Sequence, residues 1–174
     1  MRNHHRFGRG CFFLSIWLWG SWGYPQSAQV PLEIAASTSI DFTADRSSFA
    51  LNFPNFTKGS VTNLVEVHYS VIANDVVRTE GVVLAKLDEA FPNISLQTQF
   101  DSYNKRDGNA HLAPAQNEFV TLTTQDVGLA NKIVDEGNGK MLDGTFIIRY
   151  RAEALEDQVA GQHLRTLTVI FADT

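Results

Sequence analysis

Cysteine is almost missing from this chain: its 174 residues contain one, Cys11. No disulfide can close within the body of the protein, and zinc–thiolate and cysteine-nucleophile chemistry are excluded beyond that position. Basic residues are also scarce. Lys and Arg number 14 against 19 Asp and Glu, and Arg2, Arg6 and Arg9 all precede residue 28, which leaves 11 bases against 19 acids, a net charge near −8. Nucleic acid and anionic membrane surfaces require a basic footprint, so both are disfavoured as partners. No G-x-S-x-G elbow and no glycine-rich phosphate loop occurs, so acyl transfer and nucleotide-dependent reactions lack their apparatus. His68, His111 and His163 fall in no H-x-H, H-E-x-x-H or H-x₃-H pattern, whereas zinc needs three or four convergent ligands. A chain without catalytic residues, metal or cofactor is therefore expected.

The one compact apolar run stands at the start. Three arginines and no acid lead into Cys11-Phe-Phe-Leu-Ser-Ile-Trp-Leu-Trp19, and Gly20, Gly23 and Pro25 then interrupt it. A bilayer-spanning helix needs about 20 apolar residues, so this run is too short for one and fits a signal peptide with a basic n-region and an apolar h-region. Residues 1–28 are read as the signal, with cleavage after Ala28, although Gln26 at the −3 position is larger than the peptidase prefers. An uncleaved anchor is the other reading, and it too places the rest of the chain outside the cytoplasm. Cleavage leaves no membrane span. Gly10-Cys11 is not a lipoprotein site, because the modified cysteine follows the apolar segment and this one begins it.

Residues 29–174 alternate apolar and polar side chains in short segments, the period of half-buried strands. Val30 to Phe42 reads as one strand with Leu32, Ile34, Ala36, Ile40 and Phe42 on one face. Ser48 to Phe53, Val61 to Ala73, Gly81 to Leu87, Asn93 to Phe100, Glu118 to Thr124, Thr145 to Ala152 and His163 to Ala172 follow the same rule. Asp126 to Val134 reads as a short helix or turn, and Asp107-Gly108 as a tight turn. Turn signals at roughly ten-residue spacing predict one domain, an all-β, immunoglobulin-like antiparallel β-sandwich of about seven to nine strands.

Three local patterns have structural readings. Asp101 to Asn109 is rich in oxygen donors, but Lys105 and Leu112 occupy the fifth and twelfth positions of the EF-hand spacing, so a turn-rich connection is expected. Asp88 with Glu89, and Glu153 with Glu156 and Asp157, read as solvated loop acids rather than a glycosidase pair. Asn55-Phe-Thr57 and Asn93-Ile-Ser95 match the glycosylation pattern and would be incidental in a bacterial protein.

The two terminal strands carry the most specific signal. An alternating strand directly after the leader, with a closing strand of Leu167, Val169 and Phe171 behind Gly161, resembles the bacterial fimbrial pilins of the chaperone–usher route, particularly the cysteine-free colonisation-factor type. A looser resemblance is to spore coat protein U-like secreted sandwich domains. The pilin resemblance implies a non-catalytic subunit of a surface fibre, exported through the periplasm to the cell surface for adhesion. Its N-terminal strand would be the donor that completes a neighbouring subunit, seating Leu32, Ile34, Ala36, Thr38 and Ile40. A periplasmic chaperone and an outer-membrane usher would be further partners, the chaperone pairing along the closing strand. Where that family often has a penultimate tyrosine, this chain has Asp173. Two alternatives stay open. The first strand could belong to a self-complete sandwich, or the protein could be a monomeric secreted module that binds carbohydrate or a protein through Tyr69, Tyr103 and Tyr150.

Overall fold

A computed structural model describes residues 27–35, 40–159 and 161–173. Nearly all of the expected signal lies outside them. The described chain is an all-β sandwich with twelve strands: β1 (Ser27–Ala35), β2 (Ile40–Ala44), β3 (Ser48–Asn52), β4 (Val65–Ala73), β5 (Val83–Leu87), β6 (Ile94–Gly108), β7 (Ala110–Pro114), β8 (Val120–Thr121), β9 (Val127–Val134), β10 (Leu142–Ala154), β11 (Gln162–Leu164) and β12 (Leu167–Phe171). One sheet runs β11, β1, β12, β5, β9, β7, with β3 also paired to β1, and the other runs β2, β4, β10, β6, β8. The count exceeds the expected seven to nine because several strands are short or interrupted. β11 and β12, for example, are two pieces lying along the same edge of β1.

The sandwich has two poles, set by where its strands end. Ser27, Asn52 and Gln162 meet at the first. Ala35 and the end of β12 lie at the second, as do Ala73, Gly108 and Leu142.

Alternation dictates the core. β10 has a strict buried–intermediate pattern along its whole length, and its inward Phe146, Ile148 and Tyr150 are all but inaccessible. Rings interlock across the two sheets: Phe42 of β2 lies 5.8 Å from Phe171 of β12, and Phe49 of β3 stacks at 4.8 Å on Tyr150. Each such side chain, fully buried, contributes roughly 1.5–3 kcal/mol. The hydroxyls of Tyr69 and Tyr150 would be costly in this environment if left alone. They bond to each other at 2.8 Å, and burial raises the pKa of both. The Thr98 hydroxyl lies near enough to favour the ionised form of Tyr150 without hydrogen-bonding geometry.

Four expectations change. Val30 to Phe42 is not one strand: β1 belongs to one sheet and β2, beginning at Ile40, to the other. Asp126 to Val134 is largely strand β9, because Leu129 and Ala130 are buried side by side next to a register shift in its pairing with β5. Consecutive inward residues hide the period of two. Asp101 to Gly108 is the outer half of β6 rather than a loop, so its oxygen donors alternate between faces. Asp107 and Gly108 are likewise strand rather than the expected tight turn: Gly108, at φ +99, closes β6, and the chain bends at Asn109 before entering β7 of the other sheet.

Candidate interaction site at the terminal strands

β1 is held on both sides. Its first half pairs antiparallel with β3, Ser27 opposite Asn52 through Pro31 opposite Ser48. On its other side Ser27–Gln29 pair with β11 and Leu32–Ala35 with β12, both parallel. The Arg165 amide bridges the gap by donating to the Gln29 carbonyl at 3.3 Å.

Two of the proposed donor residues therefore meet the closing strand of their own chain. Leu32 lies opposite Leu167 and Ile34 opposite Val169, half-buried and packed on the core. Leu167, Val169 and Phe171 point inward and are buried. Ile40 stands apart from this group, paired with Ala73 in the opposite sheet. Ala36 and Thr38 lie outside the described residues. Gly161 is exposed immediately before β11, and a Cβ there would make only ordinary contact with the Val159 carbonyl. Nothing local demands glycine at that position.

The deepest residues of β1 precede those expected. Ala28 is 2% exposed and Val30 0%. The alternation that exposes Gln29 and Glu33 extends back through Ala28, a position counted with the leader. Cleavage after Ala28 would remove the rungs that Ser27 and Ala28 make with Gln162 and His163.

Several other polar groups are engaged structurally. Arg149 bridges Glu66 at 2.9 Å and Asp101 at 2.7 Å, tying β4, β10 and β6 on the outer face of the five-stranded sheet. Asp88 accepts from the Glu89 and Thr166 amides, and Asp157 from the Lys58 amide. Asp135 takes Lys105 at 2.7 Å and His111 at 2.6 Å, and these bonds hold its carboxyl below the ordinary value. Lys132, 5% exposed, donates to the Val76 carbonyl at 2.6 Å. Desolvation, helped by Lys140, lowers its pKa. Among the described residues no three His, Cys, Asp or Glu side chains gather to hold a metal.

Two of the three tyrosines considered for ligand stacking are core residues, since Tyr69 and Tyr150 are 1% and 0% exposed. Only Tyr103 keeps an accessible edge. Its hydroxyl is buried without a hydrogen-bond partner, and desolvation, with Asp143 nearby, pushes its pKa up to about 12. An open depression of about 490 Å³ near the first pole is lined by Phe91, Ile94, Leu96 and Leu122 together with Thr121 and Thr123. It contains no titratable group. Comparison of the sequence with protein-family models and with curated proteins gave no match.

Proposed function

We propose that this protein is an exported, non-catalytic structural subunit that joins copies of itself by strand complementation, as a pilin-like component of a surface fibre. One observation carries the reading. The first described strand enters between β3 and the closing strand and lines the core with Ala28, Val30, Leu32 and Ile34. Withdrawing it would open a slot bounded by unpaired backbone and apolar pockets, which an equivalent strand of another chain can fill. The structural bonds of Arg149, Asp88, Asp135 and Lys132 agree with a scaffold rather than a catalyst. Burial of Tyr69 and Tyr150 removes two of the three aromatics on which a carbohydrate-binding reading rested.

Polymerisation tests the proposal. The purified exported protein should form ladders that resist mild denaturation, and deletion of residues 30–36 should abolish them. A full-length protein that stays monomeric at every concentration would overturn it.

A further inference from the structure

Two asparagines match the glycosylation pattern, and the fold treats them differently. Asn55-Phe-Thr57 lies in the connection from β3 to β4, just past Asn52 at the first pole, with Pro54, Asn55 and Thr57 exposed. The Asn55 carboxamide is held in one orientation. Its Oδ1 accepts from the Thr57 amide at 3.2 Å and from the Thr57 hydroxyl at 2.7 Å, a side-chain turn closed by a second bond. A backbone amide can only donate, which puts the oxygen on that arm and the nitrogen on the other. The Nδ2 amide finds no acceptor among the described residues.

The flanking backbone fixes this turn in place. The Gln158 amide donates to the Phe56 carbonyl at 2.7 Å and the Gly59 amide to the Ala154 carbonyl at 2.8 Å, while the Lys58 amide donates to Asp157 at 2.9 Å. A partner that binds the turn therefore has little ordering to supply. Asn93-Ile-Ser95 has the opposite character. Ile94 and Ser95 are already strand, paired with Ala154 and Glu153 of β10. Ser95 is 9% exposed, and its hydroxyl shares a hydrogen bond with that of Thr121 at 3.1 Å. The Asn93 carbonyl accepts from the Leu155 amide and from the Gln158 side chain. An enzyme that must reach an asparagine together with the hydroxyl two residues on finds both at Asn55 and only the first at Asn93.

We propose that Asn55 is an N-glycan acceptor in the folded protein and that Asn93 is closed to the same reaction. The donor is a polyprenyl-diphosphate-linked oligosaccharide. The Asn55 Nδ2 bonds to the anomeric carbon as the bond from that carbon to the diphosphate oxygen breaks. The diphosphate leaves with the electron pair, and the amide proton passes to a carboxylate of the transferase. Thr57 is a positioning residue, since its hydroxyl holds the carboxamide with Nδ2 outward. In a cell without that donor the site stays unmodified; the acceptor geometry belongs to the chain. The inference does not rest on strand complementation.

The test incubates the folded full chain with a purified oligosaccharyltransferase and a polyprenyl-diphosphate oligosaccharide, and locates the glycan by mass spectrometry of proteolytic fragments. Peptides of residues 51–60 and 89–98 serve as unfolded reference substrates. The expected result is that both peptides accept a glycan while the folded chain accepts one, on Asn55. Asn55→Gln should remove it, Thr57→Val should slow transfer by roughly fivefold or more, and Thr57→Ser should restore it. A folded chain that stays unmodified at Asn55 overturns the inference, whatever the peptides do. Equal yields at Asn55 and Asn93 in the folded chain overturn the distinction between them. Neither result depends on whether the chain polymerises, so this inference and the fibre reading fail separately.

Discussion

Titrating the protein upward from about pH 9 acts on the buried hydroxyls of Tyr69 and Tyr150. Both rings are essentially inaccessible, and their hydroxyls bond to each other at 2.8 Å. Desolvation raises both pKa values above 10.0. The folded state therefore keeps two protons that the unfolded chain loses as pH passes 10, so the contribution of this pair to stability is flat below that value and falls above it. The slope is about 1.4 kcal/mol per pH unit for each tyrosine and about 2.7 for the pair. By about pH 12 the loss is roughly 5 kcal/mol, comparable to the whole stability of a modest domain. Urea unfolding at a series of pH values, with tyrosinate absorbance followed in parallel, should show the two tyrosines ionising only as the fold opens. Tyr69→Phe should lower the slope by about 1.4 kcal/mol per pH unit, although it also costs about 1–3 kcal/mol at neutral pH by leaving the Tyr150 hydroxyl alone. Equal slopes in the two proteins, or ordinary titration of both tyrosines within an intact fold, would refute this account of the core.

Gly144→Ala should destabilise the fold by about 1–3 kcal/mol in urea unfolding, because its Cβ would stand 2.6 Å from the Asn104 carbonyl oxygen and from the Tyr103 ring and hydroxyl. Asp135 contributes on the acid side. Its folded pKa is lowered by Lys105 and His111, so its contribution is present above the ordinary carboxylate value and lost as pH falls through the folded one. Thermal melts between about pH 6 and pH 2 should therefore show a smaller acid-induced drop for Asp135→Asn than for the unsubstituted protein.

How much of this was legible in the sequence depended on whether each strand buries one face at a period of two. β3, β4, β10 and β12 do, and their inward residues, including Leu167, Val169 and Phe171, follow from alternation alone. Val30 to Phe42 misled for the same reason. Both halves alternate, and residues 36–39, Ala-Ser-Thr-Ser, contain no glycine or proline to mark a passage between sheets. Strand β9 was hidden by the adjacent buried Leu129 and Ala130. In the candidate site, Leu32 and Ile34 were identifiable as inward positions. Ala28 was not among those singled out, because a residue assigned to a leader is not sought in a core, and Val30 opened the expected strand without being counted on its inward face. The pairing of β1 with β12 in parallel had no local signal, since register between distant strands comes from the whole sheet.

Locking β1 to its own closing strand is the sharpest test of strand complementation. Glu33 and Thr168 are opposite each other, and the Thr168 hydroxyl approaches the Glu33 carboxylate at 3.4 Å. Glu33→Cys with Thr168→Cys, in a Cys11→Ser background, can close a disulfide within one chain on the exposed side of this pairing. The measurement is the mass distribution of the assembled protein, oxidised and then reduced. Strand complementation predicts that the oxidised protein stays a single chain and that reduction restores assembly. Assemblies that persist with β1 locked in its own sheet would contradict it.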